Sequence, residues 1–188
     1  MSKKSCTFAA KNEKLIVPLW RRKNIKKMKH YILIAEEGER SLIEKYLPEC
    51  DWEVIVTGVG GVNIIRSLQH VDRDSEVLNI GYAGSSNFEI GSLVEVTESR
   101  VNHPNCSYPE PTLPVDKIPD EIKVNSPRIQ AVCYSNTDFV LASDYKDCAF
   151  DMELAFIAAM GFRKTYALKL VSDNLSLHAY HELTHGVE

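Results

Sequence analysis

Short apolar runs alternate with amphipathic stretches through most of the chain, the order expected of a sheet fed by crossover helices. Residues 31–35, 52–57, 77–80, 92–96, 98–101, 129–134 and 166–171 read as strands. Helices are predicted over 37–47, where Leu42, Ile43, Tyr46 and Leu47 share one face and Pro48 stops the run, and over 62–69 and 152–160. A last short helix is predicted from residue 175 onward. Six of the eight prolines fall between residues 102 and 127, which predicts a long loop there. There are no repeats or low-complexity tracts, and one mixed α/β domain from residue 28 onward accounts for the pattern.

Composition changes this picture in one place. The formal net charge of −4 hides a division, because residues 1–29 hold 10 of the 22 Lys and Arg and a single acid, Glu13. The rest carries 12 basic and 25 acidic residues, a balance that argues against nucleic-acid binding over its main surface. Residues 1–27 lack a long apolar segment and make a poor secretory signal. They read as an extension before a domain that starts at Met28, with a transit peptide or phosphate-binding arm as alternatives. No apolar run approaches the ~18 residues needed to span a bilayer. The five cysteines lack paired-ligand spacing, so neither a disulfide framework nor a zinc site is expected, and a reducing cytoplasm is. Cys133 and Cys148 are expected in the core. His178, His181 and His185 stand at helical spacing without a completing ligand and read as an exposed helix face.

Candidate chemistry gathers after the strands. Two glycine-rich segments, Thr57-Gly58-Val59-Gly60-Gly61-Val62-Asn63 and Asn79-Ile80-Gly81-Tyr82-Ala83-Gly84, read as turns at strand ends, where open α/β sheets take ligands. Neither is a Walker loop nor a complete dinucleotide fingerprint. Acids stand at three further strand ends: Glu36, Glu37 and Glu39; Asp151 and Glu153, at the start of an apolar helix; and Asp173. Each alone reads as a cap or a dipole partner. Together they predict an acidic pocket.

These segments, in this order, resemble the superfamily of purine nucleoside phosphorylases and 5′-methylthioadenosine/S-adenosylhomocysteine nucleosidases. The resemblance runs from about Tyr31 to Asp173 and is carried by residues 58–63, 79–84, 135–140, 150–155 and 171–174. It implies a three-layer α/β/α domain with a central mixed sheet, no metal or organic cofactor, and a homo-oligomer, commonly a dimer. Asp173 matches the general acid that protonates the departing purine, a role that requires its proton to be held by burial or by sharing. Glu153 matches the carboxylate that accepts the ribose hydroxyls, Met152 the side chain packed on the ribose and Phe139 the ring stacked on the base. Ala83 and Gly84 match the pocket floor, and Asp151 opens the Asp-Met-Glu motif. Glu39 is the best match to the acid that positions attacking water, with Glu37 as competitor.

The nucleophile divides the superfamily. Phosphorylases hold inorganic phosphate with arginines and hydroxyls, whereas this chain has Asn79 and Tyr82 in the second glycine segment and offers the single Arg40 after the acids that follow the first strand. Hydrolysis of a purine nucleoside is therefore the favoured expectation, with phosphorolysis or a non-catalytic nucleoside-binding protein as alternatives. Two departures from the family stand out: Tyr82 replaces a small residue and is expected to narrow the site, and the fifteen residues after Asp173 are few for the family's closing helix.

Overall fold

The computed structural model describes residues 28–102 and 111–185. The expected extension 1–27, Cys6, Cys106 and part of the proline-rich segment lie outside the described residues. Strand β1 (His30–Ile34) is buried on both faces, which explains an apolar run without alternation. Ile32 and Ile34 pack with Leu42 and Tyr46 of α1 (Arg40–Tyr46). Tyr31 and Leu33 pack on the other face with Ile64 and Leu68 of α2 (Gly61–Leu68) and Ile157 of α3 (Leu154–Ala159).

The sheet is mixed. β2 (Glu53–Val56), β1, β3 (Glu76–Gly84) and β8 (Lys164–Asp173) lie side by side in parallel. β8 continues antiparallel to β4 (Leu93–Val101), which is parallel to β6 (Ile129–Ser135), itself parallel to β7 (Cys148–Asp151). β7 returns to the end of β3 through the antiparallel pair Gly84–Phe150. The expected central sheet thus needs a correction: β3, β8, β4, β6 and β7 close into a ring, with β1 and β2 extending from one side. A ring this small is filled mostly by small side chains. Its interior holds Ala83, Val94, Val96, Ala131, Cys133, Ala149, Ala167 and Val171, with Leu154 of α3 packed against them. Cys133 and Cys148 are core thiols, as expected.

Several local expectations change. Asn79–Gly84 is not a turn but the second half of β3, extended by its pairing with β8. β7 was not anticipated; all four of its residues are buried, so no alternation marks it. It takes up Asp151, and α3 starts at Leu154 with Glu153 at its N-cap position, so neither acid stands in the first helical turn. The predicted helix over 37–47 divides into a 3-10 turn (Glu37–Glu39) and α1. β4 is continuous through an irregularity between Val96 and Glu98. Within the proline-rich segment, β5 (Thr112–Pro114) pairs with β4 at the sheet edge, where a proline is tolerated. The last helix, α4, spans Leu177–His185. His178 and His181 are exposed on it, and no helix of the described residues is long and apolar enough to cross a membrane.

Candidate active site

The C-terminal ends of β1, β3, β7 and β8 converge on one cavity of about 200 Å³. All eight residues singled out from the sequence line it: Glu39, Ala83, Gly84, Phe139, Asp151, Met152, Glu153 and Asp173. Glu36, Asp138, Tyr82 and Tyr180 line it as well. Six lining side chains are carboxylic acids, and among the described lining residues none is Lys, Arg or His.

Asp173 ends β8 and is 1% exposed. The pairing of β8 with β3 shifts register between Ala83 and Gly84, leaving Ser172 as an extra residue that turns Asp173 toward the cavity. Its Oδ2 accepts a hydrogen bond from Ser172 Oγ at 2.7 Å, and its Oδ1 accepts the backbone N–H groups of Leu175 (2.9 Å) and Ser176 (3.3 Å). Those bonds hold a turn in which Leu175 takes φ +65°, a left-handed conformation rare for a branched side chain.

Glu39 sits at the other end. Its Oε2 accepts the N–H groups of Ala35 (2.6 Å) and Glu36 (3.3 Å), and its Oε1 that of Tyr82 (3.2 Å). Burial pushes its pKa up, opposed by Lys169 and by those three amides. Glu37, the competing candidate, is exposed and paired with Arg40 instead.

The glycines of β3 explain themselves against these two acids. A Cβ on Gly81 would lie 2.7 Å from Glu39 Oε1, and one on Gly84 would lie 2.9 Å from Asp173 Oδ1. The two glycines are three strand steps apart, roughly 10 Å along β3 at the usual strand rise, so the two acids approach the strand at separate positions. Gly81→Ala and Gly84→Ala are each expected to lower turnover roughly tenfold or more by pushing a carboxylate off the backbone amides that position it. Steady-state kinetics beside a thermal melt check this; full activity in either variant contradicts the placement.

Glu153 forms a third wall. Its Oε1 accepts the N–H of Gly60 at 2.9 Å and its Oε2 that of Met152 at 3.2 Å. The first glycine segment thus turns an amide toward the protein's own carboxylate, with Gly58 and Gly60 at positive φ. Burial, together with Asp151, pushes the Glu153 pKa up to about 7 against the pull of Lys169.

Three contributors escaped the sequence reading. Lys169 is fully buried with Nζ 2.7 Å from Asp151 Oδ2. Ser135 Oγ donates to Asp151 Oδ1 at 2.5 Å and accepts the N–H of Ala155 at 2.8 Å. Tyr180 of α4 stands edge-on to Phe139 (5.6 Å between centroids) and Tyr82 (6.3 Å), covering the cavity. Burial and nearby carboxylates push its phenol up to about 12. Lysine within the apolar stretch Leu168-Lys169-Leu170-Val171 was the available signal for the first; nothing local marked the other two.

No protein-family model matches the chain, and neither does a curated protein. Solved structures do. A 5′-methylthioadenosine/S-adenosylhomocysteine nucleosidase from S. pneumoniae, solved with a transition-state inhibitor, is 16% identical, with a TM-score of 0.65 over 84% of this chain and 92% of that one. A Chlamydia trachomatis nucleosidase of the same type is 19% identical (TM-score 0.62, 84% and 88% covered). A Helicobacter pylori futalosine hydrolase is 18% identical (TM-score 0.61, 84% and 91% covered). At these identities the likeness is one of fold.

Proposed function

We propose that this chain, which has the fold of the purine nucleoside phosphorylase and nucleosidase superfamily, hydrolyses the N-glycosidic bond of a purine nucleoside of the methylthioadenosine/S-adenosylhomocysteine type. The observation that carries the reading is the lining: six carboxylic acids, no cationic side chain among the described residues, and two of the acids spaced along β3 at Gly81 and Gly84. Such a pocket disfavours bound phosphate, since anions need clustered positive charge or free amide donors. It favours an oxocarbenium-like sugar and a protonated leaving base. Arg40, exposed and already paired with Glu37, supplies no phosphate clamp.

In this reading the purine lies between Phe139 and the floor formed by Ala83 and Gly84, and the ribose packs on Met152 with its hydroxyls donating to Glu153. Asp173 gives its proton to N7 as the C1′–N9 bond breaks. Glu39 takes a proton from the water whose oxygen bonds to C1′. Asp151 holds the turn that presents Met152 and Glu153, accepting the Leu154 N–H at 3.0 Å. Residues 28–188 form the catalytic domain, which we place in the cytoplasm as a homodimer; the exposed apolar Val59, Val62 and Ile65 beside the pocket support a partner there.

The test is base release from methylthioadenosine, adenosine and inosine with and without phosphate. Release that is independent of phosphate is expected. Release only with phosphate supports a phosphorylase, and tight binding without turnover a binding protein; either overturns the hydrolase.

A further inference from the structure

Lys169 is sealed inside the strand ring, on the face of β8 shared with the interior residues Ala167 and Val171. Titratable groups face it from four directions. Asp151 reaches it from β7, at 2.7 Å. Glu153 follows two residues later, in the turn into α3. Glu39 comes from the 3-10 turn: its carboxylate lies over Gly81, which is the register partner of Lys169 on β3. Cys133 of β6 completes the surroundings, its thiol pushed well up by burial and by Asp151. One cation therefore meets three carboxylic acids where water is excluded. Burial works against its charge, yet Asp151 and Glu153 outweigh burial and leave Lys169 above the ordinary lysine range.

We propose that Lys169 is a positioning residue: its enclosed charge is the shared counter-ion that keeps Glu153 and Glu39 available as carboxylates, while the Lys169–Asp151–Ser135 chain anchors the start of α3. The inference rests on the pocket reading above, in which those two acids act charged. Three buried acids close together cannot all ionise without a compensating charge. The ring supplies it from beneath the cavity, which leaves the lining itself free of cations. Ser135, by bonding both Asp151 and the Ala155 N–H, ties this ion pair to the helix that follows Glu153.

The test is an NMR titration of glutamate side-chain carboxyls in the ligand-free protein, with the Glu153 signal assigned by its loss in Glu153→Gln. Lys169→Met is expected to raise the Glu153 midpoint by about one pH unit or more, and Lys169→Arg to leave it in place. Because Lys169→Met strands Asp151 as a buried unpaired charge and can unfold the chain, Lys169→Met is also made in an Asp151→Asn background. There the same upward step relative to Asp151→Asn alone is expected. A Glu153 midpoint that does not move in either comparison overturns the proposal, even where melting temperature falls. Calorimetry with formycin A, a nucleoside analogue whose carbon–carbon glycosidic bond cannot be hydrolysed, separates the two readings. Moved midpoints without formycin A binding overturn nucleoside recognition and leave the role of Lys169 standing. Binding with unmoved midpoints overturns the role of Lys169 alone.

Discussion

Replacing Asp173 by asparagine is expected to lower kcat for a purine nucleoside by about 10²- to 10⁴-fold, the usual worth of a positioned general acid. Binding of formycin A should change little, because the amide keeps the shape of the carboxyl. The fold should survive for the same reason. An asparagine Oδ1 can still accept the Leu175 and Ser176 N–H groups, and its Nδ2 faces Ser172 Oγ, a hydroxyl free to turn and accept. What the amide cannot do is hand a proton to N7. Single-turnover kinetics with a thermal melt on the same sample provide the check. Wild-type turnover in a folded Asp173→Asn protein removes Asp173 from the mechanism.

Glu153→Gln is the second large effect, and it carries a pH signature. Ribose hydroxyls donate best to an ionised carboxylate, and hydrogen bonds to charged groups contribute about 1.5–3 kcal/mol each, so nucleoside affinity should fall roughly 10- to 100-fold. In the wild type Glu153 titrates near 7, raised by burial and by Asp151. With Glu153 accepting the ribose hydroxyls as a carboxylate, as proposed, affinity for formycin A should rise with pH until it levels off above about 7, and fall tenfold per unit below it. Ligand-free stability should run the other way. A carboxyl whose folded pKa is raised from 4.5 to about 7 favours the fold most below 4.5, and that contribution is lost as pH climbs through about 7. In Glu153→Gln the affinity profile should flatten across this window. Calorimetric titrations at several pH values measure it, and an unchanged slope in the variant contradicts the role of Glu153.

How far the sequence carried depended on what kind of signal each element leaves. β1 was legible because a strand buried on both faces is almost uniformly apolar, and β8 because Tyr166, Ala167, Leu168, Leu170 and Val171 make a run interrupted only by Lys169. Asp151, Glu153 and Asp173 were legible as acids beside such runs, and Glu39 could be narrowed against Glu37. The glycines of β3 were noticed for the wrong reason: they read as a turn, yet they keep an extended strand clear of two carboxylates. β7 was invisible because four buried residues carry no periodicity. Lys169 was passed over because a strand lysine ordinarily faces water; only closure of the ring, a non-local pairing of β8 with both β3 and β4, makes its face an interior one. Tyr180 reaches the cavity from α4 through tertiary packing that no local pattern encodes.

The central claim is that water, not phosphate, attacks C1′ in a pocket of carboxylates. The most direct measurement runs the reaction on methylthioadenosine in oxygen-18 water with phosphate present and analyses the sugar by mass spectrometry. A free sugar carrying oxygen-18 at C1 is the predicted result, whereas an unlabelled sugar 1-phosphate would contradict it.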